Sequence, residues 1–160
     1  MNPLMKLLHL VAAFGFVGAT AATLLLSLTA DDSNASAFAV ARRAVLTVAQ
    51  NLGLPSLVLL VLTGMLLTMR HPALVEARWV WAKALIGLLV GGIALLVVQP
   101  GVMRAAALAE MVLQGSMSVG PLDAAVRTER IGAAINLALS LTAAALAVWR
   151  PRLGRGSGGS

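Results

Sequence analysis

The sequence predicts an all-α, polytopic membrane protein: a bundle of four transmembrane helices forming a single domain over residues 1–153. Three observations predict it. Of 160 residues, 59% are hydrophobic and 11% charged, with a mean hydropathy of +0.92. A soluble domain carries about a quarter charged residues, so this chain has too little polar surface to clothe a water-soluble globule. Four apolar stretches each reach the roughly 20 residues a helix needs to cross hydrocarbon at about 1.5 Å per residue. Their apolar pattern is continuous rather than alternating, which excludes half-buried strands.

The first span runs over about 4–30, interrupted only by Lys6, His9 and small hydroxyl residues. Ala35-Ser36-Ala37 mimics a signal cleavage site. The preceding apolar run exceeds the roughly 7–15 residues of a signal h-region, so the span is expected to be retained. A polar loop of Asp, Ser, Asn and Arg is expected from Asp31 to Arg43. The second span covers about 45–69, bent or thinned by Pro55 and the Thr63-Gly64 pair. A tight link with Pro72 leads into the third span, about 79–99.

The connection from Pro100 to Arg130 is the longest, opening with Pro-Gly and broken again at Gly120-Pro121. Val102 to Gln114 has helical periodicity and is expected on or just outside the membrane. Pro121 suits a helix start, so the fourth helix begins outside the bilayer before spanning it over about 131–149. Residues 154–160 have the composition of a disordered linker.

Lys and Arg set orientation. One side holds Lys6, Arg70, Arg78, Arg150, Arg152 and Arg155, and the other holds Arg42, Arg43, Arg104, Arg127 and Arg130. Six against five places both termini in the cytoplasm, with the chain in a bacterial-type inner membrane. A net charge of +6 would suggest nucleic acid in a soluble protein. Here the basic residues flank apolar spans, and with no Tyr and few Phe or Trp there is no stacking platform for bases. The expected partner is the lipid bilayer, with a homo-oligomer or larger membrane complex as a further possibility.

Cysteine is absent, which excludes disulfides, thiolate-bound zinc or iron–sulfur clusters and thioether-attached haem. His9 and His71 are the only imidazoles. A polar side chain in hydrocarbon costs a few kcal/mol on insertion scales, so each one asks for a reason. His9 enters the first helix and Lys83 the third from the same side, both about 6–8 Å below that surface. His9, Phe16, Thr20, Thr23 and Ser27 share one stripe, expected to face the bundle interior. Lys83 leads into Gly87 and Gly91, a spacing that lets another backbone approach closely.

A second polar layer is expected toward the opposite surface, formed by Gln50, Asn51, Gln99, Asn136 and Ser140. Interhelical hydrogen bonding accounts for it. Trp79, Trp81 and Trp149 sit at span ends, where an interfacial aromatic belt belongs. The seven Met residues are scattered, so a Cu(I) path has little support. No Ser/His/Asp set, phosphate loop or paired carboxylate lies within the spans.

Leu7-Leu8-His9-Leu10-Val11-Ala12-Ala13-Phe14-Gly15-Phe16-Val17-Gly18 resembles the first helix of the HemJ-type protoporphyrinogen oxidases and the CopD copper-resistance membrane domains. Arg78-Trp79-Val80-Trp81-Ala82-Lys83-Ala84-Leu85 resembles their third helix, which opens Trp-x-x-Ala-Lys, and Pro55 with Thr63-Gly64 matches the element between. The pattern is similar as well to a sister family of uncharacterised bacterial integral membrane proteins. The resemblance implies a four-helix bundle in which His9 ligates haem b or a porphyrin metal. Lys83, Arg78 and Trp81 would line that cofactor, with the Lys83 ammonium free to pair with a propionate. The third helix lacks the further His of the oxidases. Two alternatives stand beside this reading: a non-enzymatic accessory subunit that packs through its Gly faces, and a path for copper or small solutes.

Overall fold

A computed structural model describes residues 3–69 and 78–149. His71, Pro72 and the basic residues 150–155 lie outside the described residues, as do the side chains of Arg78, Trp79 and Trp149. Every regular element among the described residues is helical: α1 (Pro3–Thr29), α2 (Ala35–Val48), α3 (Leu54–Met69), α4 (Arg78–Ile93), α5 (Gln99–Leu113) and α6 (Gly120–Trp149). Single π-helical turns, Ala49–Gly53 and Ala94–Val98, join α2 to α3 and α4 to α5 without a break. The chain is therefore four long rods, each apolar and long enough to cross a membrane.

Two expectations about the connections are corrected. The polar loop expected from Asp31 to Arg43 shrinks to a few residues, because Asn34 starts α2 early. Its Oδ1 accepts from the backbone N–H groups of Ser36 and Ala37 at 3.1 and 3.2 Å, satisfying two of the orphan donors of a helix start. Ahead of it, Asp31 accepts from both the hydroxyl and the backbone N–H of Ser33, which hold its carboxyl below the ordinary carboxylate range.

The long connection from Pro100 to Arg130 also shrinks, to the turn between Leu113 and Gly120. Pro100 has no N–H to give, and it sits in the first turn of α5, directly behind the widened π turn, where that loss is tolerated. The helix ends instead at Gly115, whose φ of 70° closes it: Gly115 N–H bonds Val112 O and Ser116 N–H bonds Met111 O, both at 3.0 Å. The helical periodicity read over Val102–Gln114 thus belongs to the same rod as the third span.

The rods outrun the bilayer. Ala35–Met69 is 35 residues, about 50 Å at 1.5 Å per residue, against a hydrocarbon core of about 30 Å. The excess lies on the side away from the termini, where α2, α5 and the start of α6 pack around Ala39, Ala105, Leu108, Ala109, Leu122 and Val126. Below this cap, Val45, Ala49, Val98, Val102 and Ala133 form a second cluster, and Phe16, Leu57, Val90 and Ala94 a third. Close backbone approach holds α6 against the α4–α5 rod. A Cβ on Gly101 would lie 3.2 Å from Glu129 Cβ, and one on Gly132 would lie 2.9 Å from Val97 Cγ1.

Helix α1 packs on α3 and α6, and α6 packs on α4, but α3 and α4 make no comparable contact. Among the described residues α3 and α4 are not direct backbone neighbours; Leu57 of α3 and Val90 of α4 join one buried apolar cluster around Phe16, and at the cap end α2 and α5 meet.

Candidate functional site

The stripe predicted to face inward does so. Phe16, Thr20, Thr23 and Ser27 are buried, and His9 is half-buried at the far end. The His9 Nδ1 lies 2.9 Å from Thr63 Oγ1 on α3. The Thr63 hydroxyl spends its single proton on the Leu59 carbonyl at 2.6 Å, so it can only accept from the ring. Thr63 thus acts as acceptor toward Nδ1, and the Leu60 carbonyl is a second hydrogen-bond partner of the ring. Gly64 supplies the room, since a Cβ there would lie 3.3 Å from His9 Cε1. The Thr63-Gly64 pair read from the sequence as a bend is the seat of this imidazole.

Lys83, on α4, is the charge that acts on the ring. His9 of α1, Thr63 of α3 and Lys83 of α4 thus belong to one polar neighbourhood. Among the described residues, Lys83 has no carboxylate partner. Trp81 is 62% exposed two positions earlier on α4.

Gly87 and Gly91 are open to their surroundings among the described residues. No atom of a neighbouring helix comes within 4 Å of a Cβ built on either, and the same holds for Gly92. Their small-residue face points out of the chain's own bundle, so the close approach that the spacing suggests has no partner within the described residues. The second polar layer is also redistributed. Gln50 and Asn51 are exposed, and Asn51 Nδ2 donates back to the Thr47 carbonyl of its own helix at 3.0 Å. That internal bond lets a strongly polar side chain sit on the outer face. Asn136 does face inward, 1% exposed, and donates to the Val90 carbonyl at 2.9 Å.

A cleft opens at mid-bundle, lined by Thr20, Thr23, Gln99 and Asn136 among apolar neighbours, with both π turns at its rim. It holds ≈ 400 Å³ of empty space, its open mouth included, between largely apolar walls. One helical turn above, at the base of the cap, lies a charged cluster that was not foreseen. Arg42 Nη1 meets Glu129 Oε2 at 2.6 Å, with the side chains 1% and 0% exposed. Phe38 covers the guanidinium at 5.2 Å, a cation–π contact. Arg130 donates to the Ser27 hydroxyl at 3.1 Å and to the Ser27 carbonyl near the end of α1. Outside it, Arg43 and Glu110 pair at 2.7 Å on the surface. The signal for the cluster was present. Arg42 falls in register with Ala39 and Val45, and Glu129 with Val126 and Ala133, so both sit on apolar stripes.

The family described as "Predicted integral membrane protein (DUF2269)" matches residues 3–151. The chain belongs to that family. No curated protein and no solved structure matches it. In this DUF2269 member the described residues hold no group of three His, Asp or Glu placed for a metal ion. For a haem, they offer the His9 imidazole, hydrogen-bonded to Thr63, and the Lys83 ammonium, whose charge acts on that ring. The cleft does not enclose a macrocycle and is not lined by His9.

Proposed function

We propose that this integral membrane protein binds an amphipathic ligand with an anionic end at the end of the bundle where α1, α3 and α4 bring His9, Thr63 and Lys83 together, held by His9 and Lys83. The observation that carries the reading is the His9–Thr63 hydrogen bond at 2.9 Å. An imidazole whose Nδ1 is hydrogen-bonded to a fixed acceptor is oriented as metal-ligating histidines are. The Lys83 ammonium, which has no carboxylate partner among the described residues, supplies the complement to a carboxylate or propionate. The resemblance to the HemJ and CopD groups names haem b or a porphyrin as the ligand, with Arg78 and Trp81 on the same helical segment. The iron of a haem would supply redox chemistry when bound. The chain's own part is to orient the imidazole, neutralise the acid end and shelter the apolar ring between helices. In this reading the protein lies in a bacterial inner membrane with both termini cytoplasmic, as the slight Lys/Arg excess favours.

The test is the visible spectrum of the detergent-purified protein supplemented with haem, beside His9→Ala. A Soret band present in the parent and lost in the variant is expected. A flat spectrum in both, in a protein that remains helical, overturns the porphyrin reading.

One observation favours a second reading, an accessory subunit that self-associates. The open space beside Gly87, Gly91 and Gly92 leaves room for another backbone. That reading predicts an oligomer broken by Gly87→Leu or Gly91→Leu and indifferent to His9→Ala.

A further inference from the structure

The second rod carries a polar patch on its outer surface. At the π turn that joins α2 to α3, Gln50, Asn51 and Leu52 are exposed one after another. A π turn closes its hydrogen bonds over five residues instead of four, which widens the outward stripe. Asn51 gives one amide proton to the Thr47 carbonyl of its own helix at 3.0 Å, and its Oδ1 has no partner among the described residues. The Gln50 carboxamide makes no hydrogen bond with any described residue.

The depth of the patch removes water, the ordinary partner of an exposed amide. From Arg43, which carries the surface ion pair with Glu110, to Met69 the rod runs about 40 Å at about 1.5 Å per residue. A hydrocarbon core of about 30 Å centred on that stretch begins about 5 Å below Arg43. Gln50 and Asn51 lie about 10–12 Å below it, inside the hydrocarbon. Ala49, the preceding residue, is buried with Val98 and Ala133, on the membrane side of the Arg42–Glu129 pair. Hydrocarbon offers an amide no partner, so a carboxamide exposed there favours contact with another helix.

The chemistry of the face selects a second copy of this chain. No charged residue lies between Arg43 and Arg70, and Arg43 is paired with Glu110 of its own chain, so two such faces do not repel each other. A charged partner would find no counter-ion on it. A carboxamide both donates and accepts, so the patch is complementary to itself. Across a two-fold axis, Gln50 of each copy can donate to Asn51 Oδ1 of the other, the isologous arrangement of a closed dimer. We propose that this protein dimerises in the bilayer through the π turn of its second rod, with Gln50 and Asn51 pairing across the interface. The contact lies on a different rod from Gly87 and Gly91, and it does not depend on what His9 and Lys83 bind.

The chain has no cysteine, so single cysteines report proximity without background. The full chain carrying Gln50→Cys, Asn51→Cys or Leu88→Cys is oxidised in phosphatidylcholine vesicles. Leu88, 73% exposed beside Gly87, reports the other face. A disulfide needs Cα atoms within about 7 Å, so a cross-linked dimer is expected at Gln50→Cys or Asn51→Cys and not at Leu88→Cys. Energy transfer between donor- and acceptor-labelled copies, diluted with lipid, gives the dissociation constant. Gln50→Leu is expected to raise that constant about tenfold or more, from the loss of two symmetry-related interhelical hydrogen bonds. Gln50→Asn, which keeps the carboxamide, is expected to associate more tightly than Gln50→Leu. Absence of transfer at every dilution, an unchanged constant in Gln50→Leu, or cross-linking at Leu88→Cys as strong as at the π turn overturns the proposal. The cross-linking result stands even if Gln50→Leu fails to fold.

Discussion

Arg42 on α2 and Glu129 on α6, 87 positions apart in the chain, meet at 2.6 Å in a space sealed from solvent on every side. The pair sits between the apolar cluster of the cap and the one beneath it, so it fixes how the cap seats on the membrane bundle. A buried ion pair is weak evidence of net stability, because desolvation offsets much of the attraction. Removing one partner is another matter.

Arg42→Met is expected to destabilise the protein by about 3–5 kcal/mol, since it strands a buried carboxylate. The double variant Arg42→Met with Glu129→Leu should recover most of that loss. Thermal unfolding of the three proteins in one detergent checks this. Equal destabilisation by the single and double variants would show that packing, not charge, dominates the site.

The glycines separate into two classes that a substitution series can read. Gly101→Ala pushes a methyl to 3.2 Å from Glu129 Cβ, and overpacking of this kind destabilises by on the order of 1–3 kcal/mol. Gly87→Ala meets nothing within the chain and should leave the monomer's unfolding midpoint unchanged. A clear loss of midpoint in Gly87→Ala would place an unseen neighbour on that face.

Much of the membrane architecture was legible in the sequence, and the reasons are physical. Four apolar runs fix four spans, and constant helical rise reads His9 and Lys83 at similar depth. The polar stripe of α1 announced its buried face by its 3.6-residue period. What failed did so for equally specific reasons. Charged residues near span ends read as loop, yet Asn34 caps a helix that carries Arg42 inward. Pro100 read as a break, but a preceding π turn absorbs it. The Gly87–Gly91 spacing states that a backbone can approach and is silent on whether it belongs to the same chain. Asn51 looked interior because it is polar, and its bond to the Thr47 carbonyl removes that need.

Thr63→Val should leave the fold in place while freeing the His9 ring to turn. Loss of such an orienting partner weakens ligand affinity by about 10–100-fold, which a haem titration would read. Thr63→Ser keeps the acceptor and should bind as the parent does. Equal binding by parent and Thr63→Val would remove the orienting role.

Lys83→Gln is expected to weaken a ligand with a carboxylate end by roughly tenfold or more, the scale of one charge-assisted hydrogen bond. Lys83→Arg should retain most of the affinity. A dimethyl-ester form of the same porphyrin should not distinguish parent from Lys83→Gln. If the ester does distinguish them, Lys83 acts on something other than the acid groups.

The central claim is that Nε2 of His9 meets the ligand while Nδ1 stays bonded to Thr63. It is tested most directly by ¹⁵N spectra of histidine-labelled protein titrated with zinc protoporphyrin, which is diamagnetic. With two histidines in the chain, His71→Ala assigns the signals. The account predicts that the Nε2 resonance of His9 moves on titration while its Nδ1 remains protonated. A His9 spectrum unmoved at saturating porphyrin would contradict it.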